Sequence, residues 1–235
     1  MNRKSWLLIV LVAIAIVTIS SILGQTSIAQ TLISQIAQAE SPSRVLFENV
    51  RIFDGTSPNL SNSSYVLVED NKIQTISSEP IAVTAVGDLT VIDGNNRTLM
   101  PGLSDAHWHF NIAITDPIAT LSPNMTDEQA EATVRSNSQT VAEEMLMRGF
   151  TSTRDVGGNV FWLKKAIDAG ELLGPRIWPS GAMISQTSGH FDFSSIEDIP
   201  RTASTPLSRT EKLGITRVAD GVPEVLLTVR EQLKQ

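Results

Sequence analysis

The chain has 235 residues, 18 Lys and Arg against 25 Asp and Glu for a formal net charge of −7, and no cysteine. The lack of thiols excludes disulfides and thiolate metal sites, so any bound transition metal falls to His, Asp, Glu or a modified side chain. The acidic balance, with no cluster of Lys and Arg beyond the first residues, argues against a nucleic-acid partner.

Arg3 and Lys4 precede a stretch from Trp6 to Leu23 that carries no charge. A basic start followed by an apolar middle is the pattern of a secretory signal. Small residues suited to cleavage stand at Ser27 and Ala29, and again at Ala37 and Ala39. The apolar stretch is also close to the shortest that spans a bilayer. Residues 1–39 therefore read as a cleaved signal peptide or an N-terminal membrane anchor. Either reading places the remainder in a periplasmic or extracellular space, and residues 40–44 make a short polar linker.

From residue 45 to residue 100 the texture is that of a small β domain. Val45 to Phe53 is strand-like and stops at Asp54 and Gly55. Tyr65 to Val68 and Ile73 to Ile76 flank Glu69, Asp70, Asn71 and Lys72, the outline of a hairpin. Leu89 to Ile92 is another short strand, closed by Asp93 and Gly94.

Across residues 101–235 strands alternate with helices, which predicts an α/β unit with a parallel sheet or a (β/α) barrel. Leu103 to Phe110 is the first strand. Thr126 with Gln129 three residues later predicts a capping box opening a long helix, and Gly149 is placed to end it. Phe150 to Val156 is the second strand, a short helix runs from about Val160 to Ala169, and Arg176 to Met183 is the third strand. Val222, Val225, Leu226, Val229 and Leu233 fall at helical spacing, so an amphipathic helix is expected from about Pro223 onward.

The residues that point to chemistry are His107 and His109, at the end of the run Pro101, Gly102, Leu103, Ser104, Asp105, Ala106, His107, Trp108, His109. Alternate residues of a strand project from one face, so both imidazoles are placed to close on one ion. Neutral imidazole suits zinc, iron, manganese and cobalt. Two ligands are too few for a tight site.

Together, Val45 to Phe53 with Asp54 and Gly55, Val66 to Ile76, Val91 to Gly94 and Leu99 to His109 resemble the N-terminal pattern of the amidohydrolase superfamily. Gly149 to Asp155, Gly174 to Arg176, and Gly181 to Gly189 and His190 are similar to its branch of prolidase-like dipeptidases and imidazolonepropionase-like enzymes. Ser104 stands where an aliphatic residue is usual and Ser188 where glycine is usual.

The resemblance implies a composite β-sandwich (residues 45–100) joined to a (β/α)8 TIM barrel, with one or two divalent ions, zinc foremost, at the barrel. It makes His107 and His109 first-strand ligands and His190 a substrate-side residue. It implies a hydrolase in which metal-activated water attacks a C–N bond of a small amide, dipeptide or cyclic amide. The family's other ligands are a carboxylated lysine, two later histidines, and an aspartate that is also the general base. None has a counterpart among these residues. Lys234 lies near the lysine's place but belongs to the last helix pattern.

Residues 101–235 are also about half of the roughly 250 that a barrel takes. The expectation is about three of eight strands, with no catalytic base in the chain and no turnover by it alone. Open sheet edges and an uncovered apolar face would lead to aggregation, a partner or a homo-oligomer. The competing expectation is a non-catalytic, partner-dependent or membrane-tethered remnant serving as a binding module.

Four further expectations concern neighbouring residues. Asp105 shares the parity of the histidines and either orients an imidazole or bonds to backbone at the strand end. Arg154 and Asp155 end the second strand, and either face the site or form an internal ion pair. Ser185, His190 and Asp192 lack a nucleophile elbow and do not read as a triad. Trp108 points away from the ligands into the core.

Overall fold

The computed structural model describes residues 43–83, 88–112, 124–194 and 206–235. The expected leader, residues 1–39, lies outside them. Among the described residues no helix is long and apolar enough to cross a membrane. The chain divides into two compact units between Pro101 and Gly102.

The first unit is a five-stranded sheet. Strand β1 (Arg44–Ile52) pairs antiparallel with β2 (Ser64–Glu69), which pairs antiparallel with β3 (Lys72–Ser77). The expected hairpin is present, with Glu69 opposite Lys72 and Asp70 taking a positive φ at the turn. On its other side β1 runs parallel to β4 (Leu89–Asp93) over residues 44–48 and to β5 (Thr98–Leu99) over residues 51–52. Asn49, with φ +52°, lies between those two partners, where the β1–β2 register also shifts. The turn after β1 is built by Asp54, whose carboxylate accepts the Thr56 and Ser57 N–H groups. The described strands of this unit therefore make one sheet, not the two packed layers expected of a sandwich. Leu46, Val50 and Val66 are buried, whereas Ile73, Ile76 and Val91 stay more than half exposed.

The second unit is built on a parallel sheet in the order β6 (Leu103–Trp108), β7 (Phe150–Asp155), β8 (Arg176–Pro179). Between β6 and β7 lies helix α1 (Asp127–Met147), opened by the Thr126–Gln129 capping box with Asp127 and Glu128 in its first turn. It buries Ala130, Val134, Ser138, Ala142 and Met145, one stripe at three- and four-residue spacing. Gly149, at φ +91°, turns the chain out of the helix into β7. Helix α2 (Phe161–Asp168) leads on to β8. Phe110, Ala142, Met145, Val160, Leu163 and Ile177 form the core between helices and sheet, and Trp108 packs against it as expected.

The structure departs from the sequence reading at two strands. The first strand ends at Trp108, so His109 and Phe110 belong to the turn that follows. The third strand, expected over residues 176–183, is broken: β8 stops at Pro179, which has no N–H for the ladder, and Gly181 turns at φ +85°. The chain then forms β9 (Met183–Ser185), paired in parallel with β10 (Thr216–Val218). A single turn, α3 (Arg209–Lys212), precedes β10, and the last helix is α4 (Gly221–Leu233). Gln232 of α4 accepts the Ala182 N–H at 2.7 Å, and Arg217 of β10 pairs with Glu231.

Candidate functional site

His107 is the penultimate residue of β6, and His109 follows the strand by one position. Their rings lie edge to face with centroids 5.2 Å apart. His107 is exposed and His109 half-buried. The Nδ1 of His109 lies 3.4 Å from the carbonyl oxygen of Gly157. A carbonyl oxygen only accepts, so this contact places the proton on Nδ1 and leaves Nε2 with a free lone pair. Gly157 must be glycine for this approach. A Cβ there would stand 2.1 Å from Cγ of Met183 and 3.1 Å from Nδ1 of His109.

The turn carrying His109 is held from two sides by buried polar groups. Asp155, the last residue of β7, has no solvent exposure. Its Oδ2 accepts the Phe110 N–H at 2.8 Å, and its Oδ1 accepts the Gly157 N–H at 3.1 Å. Burial drives the Asp155 carboxyl up to about 7, against the downward pull of those two N–H groups. From the opposite side Ser138 of α1 donates to the Phe110 carbonyl at 3.3 Å and lies 3.4 Å from Oδ1 of Asn111.

Arg154 and Asp155 form no ion pair. They are successive strand residues and point to opposite faces. Arg154 donates instead to the Ala106 carbonyl at 2.9 Å across the β6–β7 pair. Both are thus tied to the histidine-bearing strand and the turn after it. Their strand-end position is visible in the sequence; their partners are not, because they are main-chain groups, two of them 45 or more residues away.

Asp105 reaches His107 through the main chain, its Oδ1 accepting the His107 N–H at 2.9 Å. His190 sits in the loop after β9, its ring centroid 4.6 Å from that of Phe191. The same loop is fixed by Asp220, which takes both the N–H of Thr187 (2.9 Å) and its hydroxyl. Asp192 accepts the Ser188 and Ser194 N–H groups, and Ser185 accepts the Phe191 N–H at 3.4 Å. Those carboxylate and hydroxyl groups are engaged in shaping the loop.

The donor set bears directly on a metal. Two adjacent imidazoles, one with its tautomer set by a carbonyl, suit two positions on a divalent ion. Among the described residues, no group of three or more His, Cys, Asp or Glu side chains is placed to hold an ion.

Comparison with known proteins gives a consistent picture. Ochratoxinase of Aspergillus niger is 33% identical over 141 residues, 58% of this chain and 29% of the relative. Its crystal structure superposes with a TM-score of 0.58 at 26% identity, over 83% of this chain and 45% of that one. A prolidase solved with N-methylphosphonate-L-proline gives a TM-score of 0.65 at 30% identity, covering 82% of this chain and 44% of the prolidase. A Xaa-Pro dipeptidase with bound methionine gives 0.56 at 26% identity, over 82% and 45%. The chain thus spans less than half the length of these relatives. Residues 98–235, which include β6 and both histidines, match the profile of the amidohydrolase family, and the chain belongs to that family.

Proposed function

We propose that residues 101–235 are the N-terminal part of a (β/α)8 barrel. In this reading the chain carries the first two metal ligands of a hydrolase that cleaves a C–N bond in a small amide or dipeptide. The observation that carries the reading is the His107–His109 ring pair at the end of a parallel strand, with the His109 proton directed to Gly157. Family membership supports it, as do relatives named for ochratoxin, proline and Xaa-Pro substrates. A divalent ion, zinc foremost, supplies Lewis acidity and an activated water in such sites.

The contribution of this chain is to hold two imidazoles in register. His107 offers its ring from the strand, anchored through its N–H by Asp105, and His109 offers Nε2 from the turn. His190 is the substrate-side residue, presented on a loop pinned by Asp220. By itself the 235-residue chain binds metal weakly and does not turn over, since two imidazoles are the only ligands it is assigned. An exported location, with residues 1–39 as signal or anchor, belongs to the same reading.

The test is calorimetric titration of zinc into the chain, alongside the His107→Ala and His109→Ala variants. Weak binding that disappears in both variants is expected, with no hydrolysis of Xaa-Pro dipeptides or N-acyl amino acids. Unchanged binding in the variants would overturn the ligand assignment. Turnover by the chain alone would overturn the statement that it is catalytically insufficient.

A further inference from the structure

We infer that Asp155 is a positioning residue for the metal-ligand pair: through the Phe110 and Gly157 N–H groups it holds the Gly157 carbonyl against Nδ1 of His109 and so selects the ring's tautomer. The inference rests on His109 being a ligand only for its functional meaning, not for its geometry.

The connection is continuous. Asp155 ends β7, and its two oxygens diverge to different main-chain segments. Oδ2 bonds the residue that follows His109, and Oδ1 bonds the residue whose carbonyl faces His109. Both segments lie just past the β6–β7 ladder, whose last bond runs from the Val156 N–H to the Trp108 carbonyl at 2.9 Å, and Asp155 carries the connection further along each of them. The carboxylate therefore sets the distance between the His109 ring and its acceptor without touching the ring.

Three further features show that this spacing is built. Asp155, Ser138 and Asn111 are each buried, at 0%, 0% and 1% exposure, so the turn is enclosed by polar groups bonded within the protein. Gly158, at φ +117°, passes close to Asn111, where a Cβ would meet its side chain at 2.9 to 3.1 Å. The Gly158 N–H donates to the Gly181 carbonyl at 2.8 Å, tying the same loop to the break after β8. A side chain that merely filled space at position 155 would require none of this.

The chemistry follows from the donor inventory of imidazole. A neutral ring has one N–H and one lone pair, and whichever nitrogen is bonded to an acceptor leaves the other for a metal. With Gly157 in place, His109 presents Nε2. If the carbonyl swings away, the ring is free to protonate at Nε2, and metal binding must first shift that proton. Groups that orient ligands in this way typically change metal affinity by about 10- to 100-fold when removed.

The experiment reads the tautomer directly. Long-range 15N NMR of the metal-free chain, above the imidazole ionisation range, is expected to show His109 protonated at Nδ1, with His190 as an internal reference. In Asp155→Asn, the amide nitrogen cannot accept one of the two N–H groups, and the His109 population is expected to shift toward Nε2–H with about 10-fold or greater loss of zinc affinity. Wild-type His109 protonated at Nε2 would overturn the proposal. So would a folded Asp155→Asn variant with the wild-type tautomer.

If Asp155→Asn does not fold, Gly157→Ala tests the last link of the connection, because its Cβ would stand 2.1 Å from Cγ of Met183 and 3.1 Å from Nδ1 of His109; an unchanged tautomer in that variant would overturn the proposal. Failure of the ligand reading is separable: zinc would then leave the His107 and His109 signals unmoved while the tautomer remained Nδ1–H.

Discussion

Asp155 accepts the main-chain N–H of Phe110 at 2.8 Å across 45 residues of sequence, with no solvent exposure and a carboxyl raised to about 7. A carboxyl raised on folding binds protons more strongly in the native state, so stability falls as pH rises from about 4 to about 7 and is level above. The full span corresponds to a loss on the order of 4 kcal/mol. Asp127 behaves in the opposite sense, being held below its ordinary range by Lys212 and Arg209, and its contribution is lost only as pH falls below about 4. The two windows are separate. Urea unfolding between about pH 5 and pH 8 is expected to show decreasing stability for the wild type and a flatter profile for Asp155→Asn. Equal slopes would show that the Asp155 carboxyl is not what titrates.

Gly102 allows β6 to approach β7. A Cβ at position 102 would stand 2.0 to 2.6 Å from Oγ1, Cγ2 and Cβ of Thr151. Gly102→Ala is therefore expected to destabilise the chain by about 1–3 kcal/mol, the usual range for overpacking. Thr151→Ala should relieve only part of this, since its own Cβ remains in the way. Thr151→Gly should relieve more, less roughly 0.5–1 kcal/mol for glycine in a strand. Chemical denaturation of the three single variants and both doubles checks the order; independent, additive effects would exclude the clash.

The Thr187–Asp220 pair closes the His190 loop onto the start of α4. Asp220 occupies the N-cap position yet makes no side-chain cap bond, and its carboxylate goes to Thr187 instead. Replacing it by alanine removes a charge-assisted bond to a backbone N–H, a loss of about 1.5–3 kcal/mol for such bonds. Asp220→Ala is expected to abolish hydrogen-exchange protection at the Thr187 amide and leave the β6–β7 amides protected. Retained protection at Thr187 would mean that β9 alone holds the loop.

Local signals made much of this fold legible. Thr126 and Gln129 announced α1, Gly149 its end, Asp70 the hairpin, and the spacing of Val222 to Leu233 announced α4. What escaped was decided by distant partners. β10 has three residues and exists because Thr216 pairs with Met183, and the break after β8 depends on Gly181 meeting Gly158 and Gln232. At the site, the histidine spacing is readable, whereas for Asp155 the sequence leaves open a place facing the site or half of an internal ion pair. A carboxylate that serves main-chain amides leaves no partner residue type in the sequence to betray it.

The apolar stripe of α4 stays largely open to solvent. Periodicity marked Val222, Val225, Leu226, Val229 and Leu233 as one face, which in a folded protein is normally buried. Val229 and Leu233 border a groove with Val156, Met183 and Phe191. Even so, Val222 remains 71% exposed and Leu233 82%, and Val225 and Leu226 are exposed as well. Each such side chain gains roughly 1.5–3 kcal/mol on full burial, enough in aggregate to drive association of the free chain. Sedimentation velocity is expected to show concentration-dependent self-association of the 235-residue chain, together with binding of a hydrophobic dye. Val222→Lys with Leu226→Lys should reduce both and change unfolding stability by less than about 1 kcal/mol, because neither side chain is buried. A wild-type chain that stays monomeric and dye-free at high concentration would show that this face is covered in solution. A large loss of stability in the double variant would show that the two side chains are part of the core.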